Sequence, residues 1–218
     1  MNVVFIGTPE FAVPSLKCLI ESKHDVVAVL TQTDKPKGRK GKPEAPPVKN
    51  IALDAGLQVI QPENVNSEQV IEELEKLSPD VIVVVAFGQK ISDKILNLPK
   101  HKCVNIHASL LPKYRGAAPI NWAVVNGEKE TGITTIIMSN KMDAGDVIIR
   151  KSLTIGPEET AGELGNRLSR LGAETLLDSL TQIETGDAKY TQQDESLVSL
   201  APKIKKTDGL IDWNQEEE

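Results

Sequence analysis

Two polar side chains, Asn105 and His107, end an otherwise apolar stretch of the sequence. Side chains alternate along a β-strand, so these two lie on one face, about 6.6 Å apart at about 3.3 Å per residue. An amide donor beside an imidazole suits stabilisation of an oxyanion in acyl transfer. The same pattern fits a pair of hydrogen-bonded polar residues that cap a strand, and the spacing alone does not separate the two interpretations.

Zinc binding is the competing chemistry for this strand. His101 and Cys103 alternate onto the same face as the amide and the second imidazole, and histidine and cysteine are the usual zinc ligands. However, positions four residues apart on a strand, such as Cys103 and His107, lie about 13 Å apart, which is too far to share one ion easily. We therefore predict no metal site.

The strand that carries the pair belongs to an alternating series of predicted elements. Short β-branched, apolar segments at 3–6, 26–30 and 81–87 suit strands of a sheet covered on both faces. The first predicted helix begins between residues 9 and 14 and runs to 22, the second follows Pro47 and ends at 55, and the third spans 67–77. The later strands are predicted at 103–108, 132–138 and 146–155. This spacing predicts βαβ units and an α/β fold, a Rossmann-like, open, mostly parallel twisted sheet with helices on both faces.

A long helix follows the last predicted strand. The sequence "TAGE" (160–163) is a Thr-x-x-Glu capping box, which is typical of a helix N-terminus. Leucines recur after it with a roughly helical period, and Gly186 lies just past the predicted end.

Open α/β sheets bind ligands beyond the carboxyl ends of their strands, and this rule selects four segments. They are the turn at Gly7, the turn at 87–91, residues 105–116 and the turn near Asp143. The first has one glycine rather than the three of a dinucleotide fingerprint, so an ordinary strand-to-helix turn is favoured there. The absence of a Gly-x-x-x-x-Gly-Lys-Ser/Thr sequence argues against a nucleotide kinase or GTPase.

Composition indicates a globular protein of 218 residues, with 39% hydrophobic and 26% charged residues. Two cysteines give no disulfide framework and indicate reduced thiols in a cytosol-like compartment, and the N-terminus is neither a signal peptide nor a membrane span. A net charge of −6 argues against a dedicated nucleic-acid binder, yet residues 35–42 hold five cations and no acid. Prolines and glycines make residues 35–47 a predicted exposed, mobile loop.

Four sequence blocks carry a resemblance. "NIHASLLPKYRGAAPINWA" (105–123) resembles the signature of folate-dependent formyltransferases, in which an Asn-x-His precedes Ser-Leu-Leu-Pro, a basic pair and Gly. "FIGTPEFAVPSL" (5–16), "TDKPKGRKGK" (33–42) and "MDAGDVI" (142–148) resemble further blocks of the family in the expected order. The similarity extends from Met1 to about Trp213 and implies the formyltransferase fold.

The resemblance implies transfer of a formyl group from 10-formyl-tetrahydrofolate to the α-amine of methionine carried by initiator tRNA. Asn105 and His107 match the family's catalytic amide and imidazole, and Asp143 matches its catalytic acid. Asp146 is the competing acid, which we interpret as a residue at the start of a strand. No metal is implied.

The resemblance also implies two walls for the reduced folate, one from the loop after the catalytic strand and one from the turn after the strand at 81–87. The residues expected to contact folate are Ser109, Leu110, Leu111, Pro112, Phe87, Gly88, Gln89 and Ile91. An apolar pocket with few polar groups suits a flat heterocycle. Phe87 stands where the family often has Tyr, and Lys90 lies in a usually apolar turn.

The tRNA is expected to contact the basic loop. The residues concerned are Lys35, Lys37, Arg39, Lys40 and Lys42, among which Arg39 matches the family's most prominent cation. Lys113 and Arg115 have two interpretations, as contacts for the folate tail or the tRNA, or as a solvated basic loop.

The resemblance further implies a catalytic domain over residues 1–202, with residues 203–218 as the start of a linker to a C-terminal β-barrel domain that is absent from this chain. We expect a cytoplasmic monomer, in a bacterial cytosol or an organelle of bacterial descent, with no membrane partner.

Two alternatives stay open. The same chemistry could act on an amino sugar or glycinamide ribonucleotide, or hydrolyse formyl-tetrahydrofolate; such an acceptor would not need the basic loop. The second alternative is a folate- or nucleotide-binding module without catalysis, but a protein that only binds its ligand has no use for an acid at position 143.

Overall fold

The computed structural model describes residues 1–37 and 41–210. The α-helices are α1 (Val13–Ile20), α2 (Pro47–Asp54), α3 (Glu68–Leu77), α4 (Asp93–Leu96), α5 (Pro119–Val125) and α6 (Ala161–Thr185). The strands are β1 (Asn2–Gly7), β2 (Asp25–Leu30), β3 (Lys35–Lys37), β4 (Lys42–Glu44), β5 (Val59–Ile60), β6 (Val81–Val85), β7 (Cys103–His107), β8 (Arg115–Gly116), β9 (Glu130–Ile137), β10 (Val147–Thr154) and β11 (Leu200–Ala201). Short 3-10 helices span Glu10–Ala12, Glu195–Leu197 and Lys206–Gly209.

The main sheet contains seven strands of the described residues, in the order β5-β2-β1-β6-β7-β9-β10. The neighbours from β5 to β7 pair in parallel, whereas β9 pairs antiparallel with β7 and β10. From β1 the chain moves outward through β2 to β5 and then outward on the other side through β6 and β7. The switch point of the sheet therefore lies between β1 and β6, where folds of this type bind ligands. The predicted Rossmann-like sheet is confirmed.

Both faces of the sheet are buried, which explains the unbroken apolar sequences of β1 and β6. One face packs on α1, α2 and α6 through residues such as Phe5, Val83 and Leu168. The other face packs on α3 and α4 through residues such as Ile6 and Ile82. The helices thus cover both faces, as the sequence predicts.

Helix α6 begins and ends where the sequence predicts. The Thr160 hydroxyl accepts from the Glu163 amide at 3.3 Å, and the Glu163 carboxylate accepts from the Thr160 amide at 3.0 Å. Gly186 ends the helix in the left-handed conformation with φ 80°. Among the helices of the described residues, none is long and apolar enough to cross a membrane.

Residues 191–201 return across the loop that follows β7. Leu200 and Ala201 form β11, which pairs in parallel with β8, and the Arg115 amide donates to the Ser199 carbonyl at 2.9 Å. Thr191 forms an isolated bridge with Val147 at the start of β10. The 191–201 segment therefore ties two site-forming loops together from outside the main sheet.

The loop predicted at 35–47 needs a correction. Its two ends form an antiparallel pair, in which Lys35 pairs with Glu44 and Lys37 with Lys42, and α2 starts at Pro47. We refer to residues 35–44 as the basic hairpin. Composition alone suggested an irregular loop because prolines and glycines are rare inside strands, but a short hairpin edge tolerates them.

Candidate active site

A cavity of about 710 Å³ opens at the carboxyl ends of β6 and β7, beside the switch point. Its lining comes from β7, the turn Ala86–Ile91, residues 116–121 and the loop 138–143. We call residues 138–146 the acid loop, after Asp143. Three of the four segments selected from the sequence therefore contribute to one cavity.

Asn105 and His107 both line this cavity, as their alternation along β7 predicts. His107 is 6% exposed, and its Nε2 lies 2.8 Å from the Tyr114 carbonyl oxygen. Because a carbonyl only accepts, the contact assigns the proton to Nε2. His107 Nδ1 is then the ring atom left for chemistry, and it lies 3.6 Å from Asp143 Oδ2.

Asp143 is held in a sparsely populated backbone conformation, with φ 51°. Such a conformation costs on the order of 1–3 kcal/mol for a residue other than glycine, and it persists where surrounding contacts impose it. Its Oδ2 accepts from the Gly116 amide at 2.9 Å, and its main-chain oxygen accepts from Gln193 Nε2 at 2.8 Å. Asp146 is exposed and does not line the cavity, so Asp143 is the acid beside His107.

Gly116 must be glycine to supply that amide. Its φ is 130°, and a Cβ at this position would lie 2.5 Å from the Ala201 carbonyl oxygen of β11. A side chain would therefore separate β8 from β11 and withdraw the amide from Asp143.

The turn Ala86–Ile91 forms the opposite wall, and it contains the expected folate residues Phe87, Gly88, Gln89 and Ile91. Ala86 has φ 47°, a second strained position at the cavity. The Phe87 carbonyl accepts from Gln32 Nε2 at 2.6 Å, and the Val65 amide donates to Gln89 Oε1 at 3.0 Å. The Gln32 side chain thus holds the backbone of the turn from outside, and the turn's own Gln89 side chain ties it to Val65.

The expected folate residues of the other loop, Ser109 to Pro112, do not line this cavity. Ser109 Oγ donates to the Lys113 carbonyl at 2.6 Å, and the Leu111 amide donates to Thr134 Oγ1 at 3.0 Å. Leu111 packs on Ile136 and Val147, and Leu110 is partly buried. The structure gives these residues internal packing contacts, and their contact with folate stays a prediction.

Arg115 does not belong to a solvated basic loop, which was one of its two interpretations. It is 7% exposed, and its guanidinium donates to Gln193 Oε1 and to the Glu195 carboxylate. Lys113, by contrast, is exposed, with its Nζ 3.9 Å from Glu128 Oε1. Gln193 and Glu195 were not predicted from the sequence, because no local pattern connects residues about eighty positions from Arg115 to the site.

The basic hairpin lies at the β2 side of the switch point. Lys35 is exposed, and its Nζ donates to Gln32 Oε1, the residue whose amide also holds the Phe87 carbonyl. Lys37 and Lys42 are described by their backbones, in β3 and β4. Arg39 and Lys40 lie outside the described residues.

The metal hypothesis has no geometric support. Among residues 1–37 and 41–210, no group of three or more His, Cys, Asp or Glu side chains could hold an ion. His101 precedes β7, at the end opposite to His107. Burial raises the pKa of the Cys103 thiol to about 12, which keeps it protonated and a poor ligand.

Comparison with known proteins shows the family to which the chain belongs. A family model described as formyl transferase matches residues 1–180. The methionyl-tRNA formyltransferase of Geobacter metallireducens is 52% identical over 216 residues, covering 99% of this chain and 70% of that protein. The methionyl-tRNA formyltransferase of Alkaliphilus oremlandii is 51% identical over 215 residues, covering 99% and 69%.

Solved structures share the fold at low identity. Glycinamide ribonucleotide transformylase 1 from Symbiobacterium toebii has a TM-score of 0.72 at 16% identity, over 89% of this chain and 94% of that one. HypX from Aquifex aeolicus, in complex with tetrahydrofolic acid, has a TM-score of 0.73 at 23% identity, over 100% and 32%. The likeness concerns the fold alone and confirms the formyltransferase fold. With half of its positions identical to those relatives over nearly its whole length, the chain belongs to the methionyl-tRNA formyltransferase family of formyl transferases.

Proposed function

We propose that the protein transfers a formyl group from 10-formyl-tetrahydrofolate to the α-amine of methionyl initiator tRNA. The observation that carries this proposal is the convergence of Asn105, His107 and Asp143 on one cavity. The relatives that are about half identical are named for this acceptor.

The first step is attack of the amine nitrogen on the formyl carbon. A new C–N bond forms, and the carbonyl electrons move to oxygen, which becomes an oxyanion. Asn105 donates to that oxygen through its amide, and protonated His107 donates through Nδ1, since Nε2 is occupied by the Tyr114 carbonyl. Asp143, beside Nδ1, stabilises the imidazolium.

The second step is expulsion of the folate nitrogen. The oxyanion re-forms a carbonyl, the bond from carbon to N10 breaks, and N10 takes a proton. The attacking nitrogen becomes positively charged when it bonds to carbon and must lose one proton, so the His107–Asp143 pair relays a proton from that nitrogen to N10, with no net change on the enzyme. A water molecule can complete this path.

The folate would bind against the turn Ala86–Ile91. Apolar lining from Phe87 and Ile91 suits a pterin face, and main-chain groups of a turn fixed by Gln32 and Gln89 can meet its polar edge. A solved neighbour of this fold holds tetrahydrofolic acid.

The tRNA would meet the basic hairpin. Its five cations stand in a chain of net charge −6, so they provide a local attraction for phosphates that the whole protein does not. The hairpin is joined through Gln32 to the wall assigned to folate, which places it beside the cavity.

The catalytic domain is proposed to span residues 1–202. Packing against the domain continues to its end, where Trp122 Nε1 donates to the Pro202 carbonyl at 2.8 Å. Residues 203–218 would begin the connection to a further domain, and the chain spans about 70% of the length of its relatives. We propose a monomer acting in the cytosol.

The test is incubation with 10-formyl-tetrahydrofolate and methionyl initiator tRNA, followed by detection of formyl-methionine. Formylation of an amino sugar or glycinamide ribonucleotide, but not of the tRNA, would assign another acceptor. In parallel, a reduced folate should raise the melting temperature because it binds only the native state, and NAD and ATP should not. A shift with NAD alone would contradict the folate site.

A further inference from the structure

We propose that Gln193 is a positioning residue for Asp143, acting from the 191–201 segment and itself oriented by Arg115. The inference rests on the proposed function only for the catalytic role of Asp143. The hydrogen-bond geometry is independent of that role.

Gln193 uses its whole side-chain amide within the protein. It is 5% exposed, and its Nε2 donates to the main-chain oxygens of Asp143 and Gly145, both at 2.8 Å. Its Oε1 accepts from Arg115 Nε at 3.1 Å and from Arg115 Nη2 at 2.8 Å. Two donors and two lone pairs are thus all satisfied, which fixes the amide in one place.

Arg115 decides which way this amide points. A guanidinium only donates, so it must face the oxygen of Gln193, and the nitrogen must then face the acid loop. Arg115 is itself fixed by Glu195, whose two oxygens accept at 3.2 and 2.8 Å. This interaction lowers the pKa of Glu195, so the carboxylate stays charged and keeps the guanidinium in place.

Asp143 needs this support because its backbone is strained. A non-glycine residue at φ 51° relaxes unless its neighbours prevent it. Gln193 holds the main chain of Asp143, while Gly116, which pairs with β11, holds its carboxylate. The 191–201 segment therefore holds the main chain of Asp143 directly and its carboxylate indirectly, through the pairing of β11 with β8. Displacement of a catalytic group by about 1 Å lowers the rate of a reaction.

The test is Gln193→Glu, which keeps size and shape and still accepts from Arg115. It replaces both amide donors by lone pairs that face the carbonyls of Asp143 and Gly145. We expect kcat to fall about 10- to 100-fold, with the KM for 10-formyl-tetrahydrofolate unchanged within about twofold. Because the introduced carboxyl group regains one donor when it is protonated, the deficit relative to the parent should shrink as the pH is lowered.

The matched control is Gln192→Glu, at the exposed neighbouring residue. It adds the same charge one position away, and kcat should match the parent. A second variant, Gln193→Met, cannot donate and carries no charge, so it should lose kcat without the pH-dependent recovery. If Gln193→Glu does not fold, the kcat of Gln193→Met decides whether the donors are needed.

A second readout uses no substrate. The Gly116 amide proton, which donates to Asp143, should shift upfield in the NMR spectrum of both Gln193 variants and stay in place in Gln192→Glu. Folded Gln193 variants with parent kcat and an unmoved Gly116 signal would overturn the proposal. If the parent itself fails to formylate methionyl-tRNA, the proposed function fails, and the Gly116 shift still tests the positioning.

Discussion

The acid loop and the basic hairpin are two charged segments beside one cavity, and they are held differently. Asp143 in the acid loop is fixed at its main chain by Gln193 and at its carboxylate by Gly116. The basic hairpin is held near its base, where Asp34 accepts from Lys49 at 2.8 Å and from Gln61 at 2.7 Å. The first set of contacts is partly buried, and the second is exposed.

The difference matches the function proposed for each segment. A group that moves a proton has to lie within hydrogen-bond reach of its partner, and buried interlocking contacts provide that accuracy. Cations that meet a phosphate backbone act over a longer range and need charge more than accuracy. Substitutions in the acid loop should therefore change turnover, and those in the hairpin should change acceptor binding.

The largest effect is expected at the acid. Asp143→Asn keeps the shape and an acceptor for the Gly116 amide, but it removes the charge beside the imidazolium and the proton acceptor. Turnover should fall at least as much as in Asn105→Ala, whereas Asp146→Asn, at an exposed position, should be mild. Single-turnover rates measure these effects. If Asp146→Asn lost more turnover than Asp143→Asn, the acid would be Asp146.

The amide should rank next. Asn105 is partly exposed in the cavity, so Asn105→Ala should keep the fold and folate binding. It should lose about 10²–10³ in turnover, the usual result of removing one oxyanion donor. A variant that keeps more than half of the parent turnover would contradict the role of Asn105 as an oxyanion donor.

Hairpin substitutions should leave chemistry intact. Arg39→Ala should weaken use of tRNA with little change in folate binding. Each lost phosphate contact should flatten the log–log salt dependence of tRNA binding by about 0.7–0.9. Binding titrations across salt concentrations measure the slope, and an unchanged slope would leave Arg39 without a phosphate contact.

Protease protection tests the same segment. Trypsin should cut the free protein first within residues 35–42, because three cations that no proline follows, Lys37, Arg39 and Lys40, lie together there. Initiator tRNA should slow that cut, and folate alone should not. If tRNA does not change the cleavage rate, the hairpin is only a solvated segment, and the identity of the formyl acceptor becomes an open question again.

The smallest effect concerns the hairpin base. Hydrogen bonds from Gln61 and Lys49 lower the pKa of Asp34. Its contribution to stability is therefore present above the ordinary Asp value of about 3.9 and is lost as the pH falls through the lower folded-state value. Carboxyl NMR titration should show a midpoint below the ordinary value, which Gln61→Ala raises. An unmoved midpoint would contradict the hydrogen-bond cause.

Local sequence patterns predicted the features that are determined by residues close to each other in the chain. The capping box at Thr160, the buried strand β6 and the shared face of Asn105 and His107 follow from propensity and alternation, and the structure has all three. The hairpin was missed because its pairing depends on strand register, while its composition is that of a loop.

The support of the site was missed for a different reason. Arg115 and Gln193 are 78 positions apart, and their contact exists only after residues 191–201 fold back over β8. A basic residue in a glycine-containing loop is usually solvated, so sequence reasoning gave Arg115 the wrong environment. Buried polar networks of this kind depend on tertiary structure and leave no periodic signal.

The late position of residues 191–201 has a consequence for biosynthesis. A chain leaves the ribosome from its N-terminus, so the seven sheet strands, complete by Thr154, and α6, complete by Thr185, can assemble before Gln193 and Ala201 emerge. The nascent protein can therefore have its sheet and its cavity walls while the main chain of Asp143 still lacks its contact with Gln193. The segment proposed to position the acid is therefore made only after the architecture that surrounds the site.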